Sequence, residues 1–219
     1  MPNLYIISGC NGAGKTTASF TILPEMLNCK EFVNADEIAK GLSPFQPESV
    51  SFQAGRIMIE RIEELVNSGV DFAFETTLTT LSYINTIKIA REKGYTITLL
   101  FFWLNDVDLA IERVKIRVSE GGHNIPEETI RRRYFRGTNN LIKKFIELCD
   151  FWIIIDNSSK PFKFVAEGQV NTQIKIHDES IWQIILDIVD ESPSSMVNDS
   201  GSCLMCLITP SIPTNLSFN

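Results

Sequence analysis

Residues 9–16 of the chain read Gly9-Cys10-Asn11-Gly12-Ala13-Gly14-Lys15-Thr16. This stretch matches the pattern G-x-x-x-x-G-K-[ST] in full. An apolar run at residues 4–8 precedes it and an amphipathic segment at residues 15–23 follows it, so the pattern lies between a predicted strand and a predicted helix. The glycines let successive backbone N–H groups point at one anion, and the helix N-terminus adds partial positive charge. The stretch therefore predicts a phosphate-binding loop.

We expect this loop to bind ATP together with Mg²⁺. Lys15 is expected to reach the β- and γ-phosphates, and the hydroxyl of Thr16 is expected to ligate Mg²⁺. The residues expected to contact the nucleotide are Gly9, Asn11, Gly12, Ala13, Gly14, Lys15, Thr16 and Thr17. The alternative, a chance loop of this composition, does not account for the strand and the helix on either side of it.

Short apolar runs alternate with longer amphipathic segments along the chain, which is typical of a parallel sheet covered by helices. Core strands are expected at residues 4–8, 31–34, 70–74, 95–104 and 151–156. Helices are expected at residues 15–23, 47–67, 83–93, 107–118, 126–149 and 180–190. Pro24 is expected to end the first helix, and residues 162–176 are compatible with a β-hairpin. The predicted class is a three-layer α/β fold with a mainly parallel five-stranded sheet.

Two carboxylates follow predicted strands, Asp36 after the second and Glu75 after the third. The carboxyl ends of parallel strands line the ligand crevice, so both groups are expected to face the phosphate loop. Asp36 is placed to accept the proton of an attacking hydroxyl or to hold Mg²⁺ through water. Its alternative role is to cap a helix that starts at Glu37. Glu75 is expected to bind a substrate hydroxyl or to help position Mg²⁺, with Thr76 contacting the same substrate; the alternative for Glu75 is a solvated strand end.

The second half of the chain is rich in arginine on both sides of a Gly121-Gly122 break. The arginines are Arg113 and Arg117 before the break, and Arg131, Arg132, Arg133 and Arg136 after it. A helix–loop–helix of this kind, here residues 113–137, resembles a mobile lid that closes arginines over a triphosphate. Arg117 and Arg133 are expected to reach the phosphates, and Arg132 is expected to contact the substrate.

The alternative for this cluster is an ordinary salt-bridged helix surface. Glu127 and Glu128 stand four residues before Arg131 and Arg132, a spacing that pairs opposite charges on one helix. Arg133 has no such partner on that side, so it is the better candidate for contact with phosphate.

The composition argues against several classes of partner. The formal net charge of −7 argues against a protein that wraps nucleic acid, because such binding depends on basic surface. No run reaches the roughly 18 apolar residues of a membrane span, and the N-terminus lacks the features of a signal peptide. We therefore expect a cytoplasmic protein with no membrane partner. Residues 1–191 are expected to form one domain, and residues 192–219, rich in Ser, Pro, Asn and Thr, a low-complexity tail.

The phosphate loop alone does not separate kinases from GTP-dependent switches or transporter ATPases. The sequence has no N-K-x-D motif, no D-x-x-G motif after a strand and no L-S-G-G-Q-like signature, the nearest run being residues 118–122. The absence of these three motifs argues against a GTP-dependent switch and against a transporter ATPase.

Six segments together resemble the zeta-toxin family of P-loop kinases, in particular its chromosomal branch, also labelled predicted ABC-type ATPases. The segments are residues 8–17, 32–39 (FVNADEIA), 54–56 (AGR), 74–78 (FETTL), 113–126 with Gly121-Gly122-His123, and 130–137 with Arg132-Arg133-Tyr134. The resemblance covers about residues 3–190.

This resemblance implies a fold like that of the adenylate and shikimate kinases. It implies ATP-dependent phosphorylation of a hydroxyl on a small molecule, which in the toxins is UDP-N-acetylglucosamine, and it implies an antitoxin protein as a partner. By motif position, Asp36 matches the catalytic aspartate, Lys15 the P-loop lysine and Glu75 the substrate-contacting glutamate. Two other functions stay open: an ATP-operated binding or regulatory module without a small-molecule acceptor, and a nucleotide kinase.

Overall fold

The computed structural model of the chain describes residues 1–122, 124–170 and 172–190. The tail expected at residues 192–219 lies outside the described residues. No helix among the described residues is long and apolar enough to cross a bilayer.

The described strands form one seven-stranded sheet in the order β2-β3-β1-β4-β5-β6-β7. The strands are β1 Asn3–Gly9, β2 Glu31–Val33, β3 Phe72–Thr76, β4 Thr96–Trp103, β5 Phe151–Asp156, β6 Lys163–Gln169 and β7 Lys175–Ile176. The first five run parallel, as predicted. β6 and β7 add an antiparallel hairpin at one edge, so the predicted count of five covers only the parallel strands.

The helices agree with the apolar periodicity, with two differences: one near Pro24, and one at Leu141–Phe145 and Ile146–Leu148, where the helix expected at residues 126–149 continues as a π-helical turn and a 3₁₀ turn. The helices are α1 Lys15–Thr21, α2 Ala35–Leu42, α3 Ser51–Ser68, α4 Tyr83–Glu92, α5 Val107–Ser119, α6 Glu127–Asn140 and α7 Glu179–Asp190. Pro24 does not end the first helical segment, because α1 continues into a π-helical turn at Ile22–Met26. Proline has no N–H to donate into the α-helical ladder, and a local widening of the helix accommodates it.

Apolar side chains form two clusters, one on each face of the sheet. Leu4 and Ile6 of β1 lie in one cluster, and Tyr5 and Ile7 lie in the other, as the alternation of side chains along a strand requires. The first cluster includes residues of α3, α4 and α7, and the second includes residues of α5. The sheet is therefore held between two layers of helices, and its strand ends are fixed in position.

The carboxyl ends of the first three strands meet at one edge of the sheet. β1 lies between β3 and β4, and Ser8 of β1 is opposite Thr76 of β3. Val33 of β2 is opposite Phe74 of β3. β3 begins two residues later than predicted and extends to Thr76, so Glu75 lies within the strand, one residue before its end. The phosphate loop, the start of α2 and Glu75 are consequently brought together.

The docking of α7 gives a test of this arrangement. Trp182 is 3% exposed and stacks on Trp152 of β5, with ring centroids 6.2 Å apart. We expect Trp182→Ala to lower the free energy of unfolding by about 3–5 kcal/mol, because it removes a buried aromatic side chain. Ile184→Ala, on the exposed side of the same helix, is the control and should cost less than about 1 kcal/mol. Urea titrations measure the free energy of unfolding of both variants, and equal losses in the two would contradict the docking of α7.

Candidate active site

The phosphate loop, residues 9–16, is curled so tightly that glycine is required within it. Gly12 and Gly14 both have φ of 81°, in the left-handed region. A Cβ on Gly12 would lie 2.5 Å from the backbone oxygen of Ala110 in α5, and a Cβ on Gly14 would lie 2.5 Å from Asn157 Nδ2. The loop is thus packed directly against α5 and against the segment that follows β5.

Asn157, directly after β5, supports the loop in a role that no sequence motif predicts. Its Nδ2 donates to the backbone oxygen of Ala13 at 2.8 Å. Its backbone oxygen accepts from Arg113 Nη1 at 2.9 Å, and Arg113 Nη2 donates to the backbone oxygen of Ser158 at 3.0 Å. Arg113 therefore joins α5 to the segment after β5. The only signal in the sequence was the position of Asn157 directly after a predicted strand.

The carboxylate of Glu75 contacts the side chains of Lys15 and Thr16 at the end of the phosphate loop. Thr16 Oγ1 donates to Glu75 Oε2 at 2.8 Å, and Asn34 Nδ2 donates to the same oxygen at 2.9 Å. Lys15 Nζ lies 3.4 Å from Glu75 Oε1 and donates to the backbone oxygen of Cys10 at 2.9 Å. Both charged side chains are largely buried, at 6% and 12% exposure. Glu75 is thus in contact with the predicted lysine and with the predicted Mg²⁺ ligand.

Asn34, and not Asp36, is the N-cap of α2. Asn34 Oδ1 accepts from the backbone N–H of Asp36 at 2.8 Å and from that of Glu37 at 3.3 Å. The alternative role considered for Asp36, capping a helix that starts at Glu37, is therefore wrong. The helix begins two residues earlier, at Ala35, and its cap must precede it. Asp36 lies in the first turn of α2 with its side chain exposed.

Arg133 of α6 reaches both the phosphate loop and the vicinity of Asp36. Its Nη1 donates to Asn11 Oδ1 at 2.9 Å. Burial lowers the pKa of the Arg133 guanidinium, the negative charge of Asp36 acts in the opposite direction, and the positive charge of Arg132 adds to the lowering. The guanidinium of one predicted lid arginine is thus in contact with the phosphate loop.

The thiol of Cys10 lies inside the loop and takes no part in acid–base chemistry at neutral pH. Burial raises its pKa to about 11, although the charges of Lys15 and Arg113 act to lower it. A buried, protonated thiol is a poor nucleophile. The chemistry at this edge of the sheet is therefore left to oxygen and nitrogen groups.

Comparison with known proteins agrees with this geometry. The family model described as Zeta toxin matches residues 1–162, most of the chain. The chain belongs to the zeta toxin family. An uncharacterized protein of Haemophilus influenzae is 32% identical over 127 residues, which are 58% of this chain and 88% of that protein.

Solved structures show the same fold as this zeta toxin family member. The structure of AvrRxo1-ORF1:-ORF2 with ATP superimposes with a TM-score of 0.67 at 17% identity, covering 91% of this chain and 66% of that chain. This chain thus spans just under two thirds of that protein. A structure of the PezAT chromosomal toxin–antitoxin system of Streptococcus pneumoniae superimposes with a TM-score of 0.58 at 16% identity, covering 87% of each chain. These likenesses confirm the predicted P-loop α/β fold.

The other arginines of this family member are placed differently from the predicted surface pairing. Arg131 forms an ion pair with Asp108 of α5, and Glu127 forms an ion pair with Lys115 at 2.6 Å. The alternative considered for the cluster, a pairing of Glu127 with Arg131 within one helix, is therefore not what forms, because α5 packs alongside α6 and supplies the opposite charges. These ion pairs link the exposed faces of the two helices.

Arg117, Arg132 and Thr76 stay predictions as phosphate or substrate contacts. Arg117 lies in the last turn of α5, where its backbone oxygen accepts from Gly122 N at 2.8 Å. Arg132 is exposed, next to Arg133. Thr76 is buried and its Oγ1 accepts from the backbone N–H of Leu78 at 3.2 Å, so this hydroxyl also shapes the turn after β3.

Two cavities lie at the candidate site, one beside the phosphate loop and one near Asp36. One of about 740 Å³ is lined by Gly14, Thr17, Arg113, Asn157 and apolar side chains of β5 and β6. The other, of about 410 Å³, lies between residues 44–48 and residues 121–122 and 124–126, which belong to the predicted lid. Pro47 lines this second cavity and also a crevice of about 50 Å³ that reaches Asp36. Asp36 thus lines a crevice that adjoins the second cavity at Pro47.

The tight packing of the loop gives a prediction for nucleotide binding. Gly12→Ala is expected to weaken ATP binding at least about tenfold, because the new Cβ meets the Ala110 carbonyl and because φ is positive. Gly55→Ala, at a helical glycine with open space around it, is the matched control and should leave the affinity unchanged. Titration calorimetry with ATP measures both variants. Wild-type affinity in Gly12→Ala would contradict the loop conformation.

Proposed function

We propose that this chain is an ATP-dependent kinase that transfers the γ-phosphoryl group to a hydroxyl of a small molecule. The observation that carries the proposal is the set of contacts around the phosphate loop: Glu75 contacts Lys15 and Thr16, and Arg133 of the predicted lid contacts Asn11. We assign Asp36, in the first turn of α2, as the base for the acceptor hydroxyl and Arg133 as the cation for the transferred phosphoryl group.

The phosphate loop would hold the triphosphate of ATP, with its backbone N–H groups and Lys15 on the phosphate oxygens. The adenosine part would occupy the cavity of about 740 Å³ on the outer side of the loop. Support for this orientation comes from Gly14 and Thr17, which line that cavity, whereas the side chains of Lys15 and Thr16 between them contact Glu75.

The residues beside Lys15 fit a bound Mg²⁺ ion. Thr16 Oγ1 and Glu75 Oε2, 2.8 Å apart, offer the hydroxyl and carboxylate oxygens that Mg²⁺ takes. Thr16 would ligate the ion directly, and Glu75 and Asp36 would hold it directly or through water. The ion would neutralise charge that develops on the phosphate oxygens.

Asp36 would accept the proton of the acceptor hydroxyl as the acceptor oxygen forms its bond to the γ-phosphorus. The bond from the γ-phosphorus to the β,γ-bridging oxygen breaks, and ADP leaves. Arg133, with Arg117 when the lid at residues 113–137 closes, would stabilise the negative charge on the equatorial oxygens. Glu75, Thr76 and Arg132 are proposed to border the acceptor.

The acceptor would bind in the cavity of about 410 Å³ between residues 44–48 and the lid. This volume lies in the usual range for small-molecule sites. Phe45 lines the cavity and is 97% exposed, which suits stacking against a nucleobase. UDP-N-acetylglucosamine, a nucleotide sugar with free hydroxyls, is the acceptor that we propose.

We also propose an antitoxin protein as a partner and the cytoplasm as the site of action. Support for a partner comes from the PezAT toxin–antitoxin system and the AvrRxo1-ORF1:-ORF2 complex, which have the same fold. Residues 1–191 are proposed to be the kinase unit.

A substitution at Asp36 tests the proposed base. Asp36→Asn is expected to retain ATP affinity within about threefold and to lower phosphoryl transfer by roughly 10²–10⁴-fold, since the amide cannot accept the proton. Glu37→Gln, in the same turn of α2 and with a side chain that pairs with Lys40 of that helix, is the control.

Mass spectrometry of products from a panel of nucleotide sugars and plain nucleotides measures the transfer. Undiminished transfer by Asp36→Asn would exclude the role. A product from plain nucleotides alone would indicate a nucleotide kinase, and no product with any acceptor would favour an ATP-operated binding module.

Arg133 gives a second test. Arg133→Ala is expected to lower kcat at least about a hundredfold, because the variant lacks the guanidinium that stabilises the negative charge on the transferred phosphoryl group. Arg131→Ala is the matched control, since this exposed arginine pairs with Asp108 on the outside of the lid and should change kcat less than about twofold. Similar kcat values for the two variants would contradict the assignment of Arg133.

A further inference from the structure

Asn34 connects the helix that carries Asp36 to the carboxylate that contacts Lys15 and Thr16. Its Oδ1 accepts from the backbone N–H groups of Asp36 and Glu37, at 2.8 and 3.3 Å. Its Nδ2 donates to Glu75 Oε2 at 2.9 Å. Both ends of one amide are thus used, one for the start of α2 and one for the end of β3.

Capping alone does not require an amide at this position. Ser, Thr and Asp cap helices about as well as Asn, because the cap needs only an oxygen acceptor. The Nδ2 group is the part of Asn34 that capping does not use, and it is directed at a largely buried carboxylate. Asn34 is itself only 5% exposed, so this donor has little access to solvent.

We propose that Asn34 is a positioning residue that sets the distance between Asp36 and the phosphate loop. This inference rests on the proposed kinase function. Asp36 would act on the acceptor hydroxyl, whereas Thr16 and Glu75 lie at the Mg²⁺ and phosphate side of the reaction. Phosphoryl transfer needs these two sides aligned, and a misplacement of about 1 Å can lower the rate about a hundredfold. The Asn34 amide connects the two sides through two hydrogen bonds.

The chemistry of the site explains why the connector is neutral. Glu75 and Asp36 are both carboxylates, and a third carboxylate at position 34 would face Glu75 Oε2 at hydrogen-bond distance and repel it. A hydroxyl at position 34 would cap α2 but would be too short to replace Nδ2. Asparagine supplies an acceptor toward the helix and a donor toward Glu75 without adding charge.

Asn34→Ser separates the two roles, because serine keeps a capping oxygen and lacks the amide. We expect kcat for phosphoryl transfer to fall roughly tenfold to a hundredfold, with KM for ATP changed less than about threefold. Asp106→Ser is the matched control, because it makes the same kind of change at the N-cap of α5. There the Asp106 side chain accepts a hydrogen bond from the backbone N–H of Asp108. This control should leave kcat unchanged. Wild-type kcat in Asn34→Ser would overturn the inference.

A pair of variants that exchanges the amide of residue 34 with the carboxylate of residue 75 tests the contact without relying on catalysis. In Asn34→Asp the two carboxylates repel, and ATP affinity measured by calorimetry in EDTA should fall. In Asn34→Asp combined with Glu75→Gln, the amide of residue 75 can donate to the carboxylate of residue 34. The combined variant should therefore bind ATP at least about fivefold more tightly than the summed effects of Asn34→Asp alone and Glu75→Gln alone predict. Additive effects would overturn the inference.

These readouts also separate the inference from the kinase proposal. Failure of the wild-type chain to phosphorylate any acceptor would contradict the proposed function, while coupling in the ATP-binding cycle would still support the connection through Asn34. Normal wild-type transfer with no effect of Asn34→Ser would leave the kinase function standing and remove the positioning role.

Discussion

The candidate site depends on one buried carboxylate, that of Glu75. It accepts hydrogen bonds from Thr16 and Asn34 and lies 3.4 Å from the ammonium group of Lys15. A carboxylate that is mostly withdrawn from water is stable only when such partners replace its hydration. The same contacts fix the phosphate loop, the start of α2 and the end of β3 relative to one another, so the geometry of the candidate site follows from satisfying this one group.

The apolar sheet makes this arrangement possible. β1, β2 and β3 are parallel and adjacent, and the register that pairs Ser8 with Thr76 brings their carboxyl ends to one edge. Two helical layers hold the strands, while the polar groups project beyond the apolar part of the sheet. On the other side of the loop, α6 contributes Arg133, which contacts Asn11. The start of α1 thus holds Lys15, the end of β3 holds Glu75, and a helix of the proposed lid holds Arg133.

Much of this could be predicted from the sequence because the signals were local. The G-x-x-x-x-G-K-[ST] pattern and the apolar runs located the loop and the parallel strands within a few residues. Contacts between distant residues could not be predicted in the same way. Asn157 is 144 residues from Ala13, and Arg133 is 122 residues from Asn11. Helical spacing suggested Glu127 as the partner of Arg131, but α5 supplied Asp108, since ion pairs follow the packing of helices in space.

The central claim is that a carboxylate, a guanidinium and the phosphate loop converge on one transferred phosphoryl group. A crystal structure with Mg²⁺, a non-hydrolysable ATP analogue and UDP-N-acetylglucosamine tests it most directly. The account predicts the γ-phosphate between Lys15 and Arg133, with an acceptor hydroxyl within hydrogen-bond reach of Asp36. A γ-phosphate bound far from Arg133, with the Asp36 carboxylate directed into bulk solvent, would contradict it.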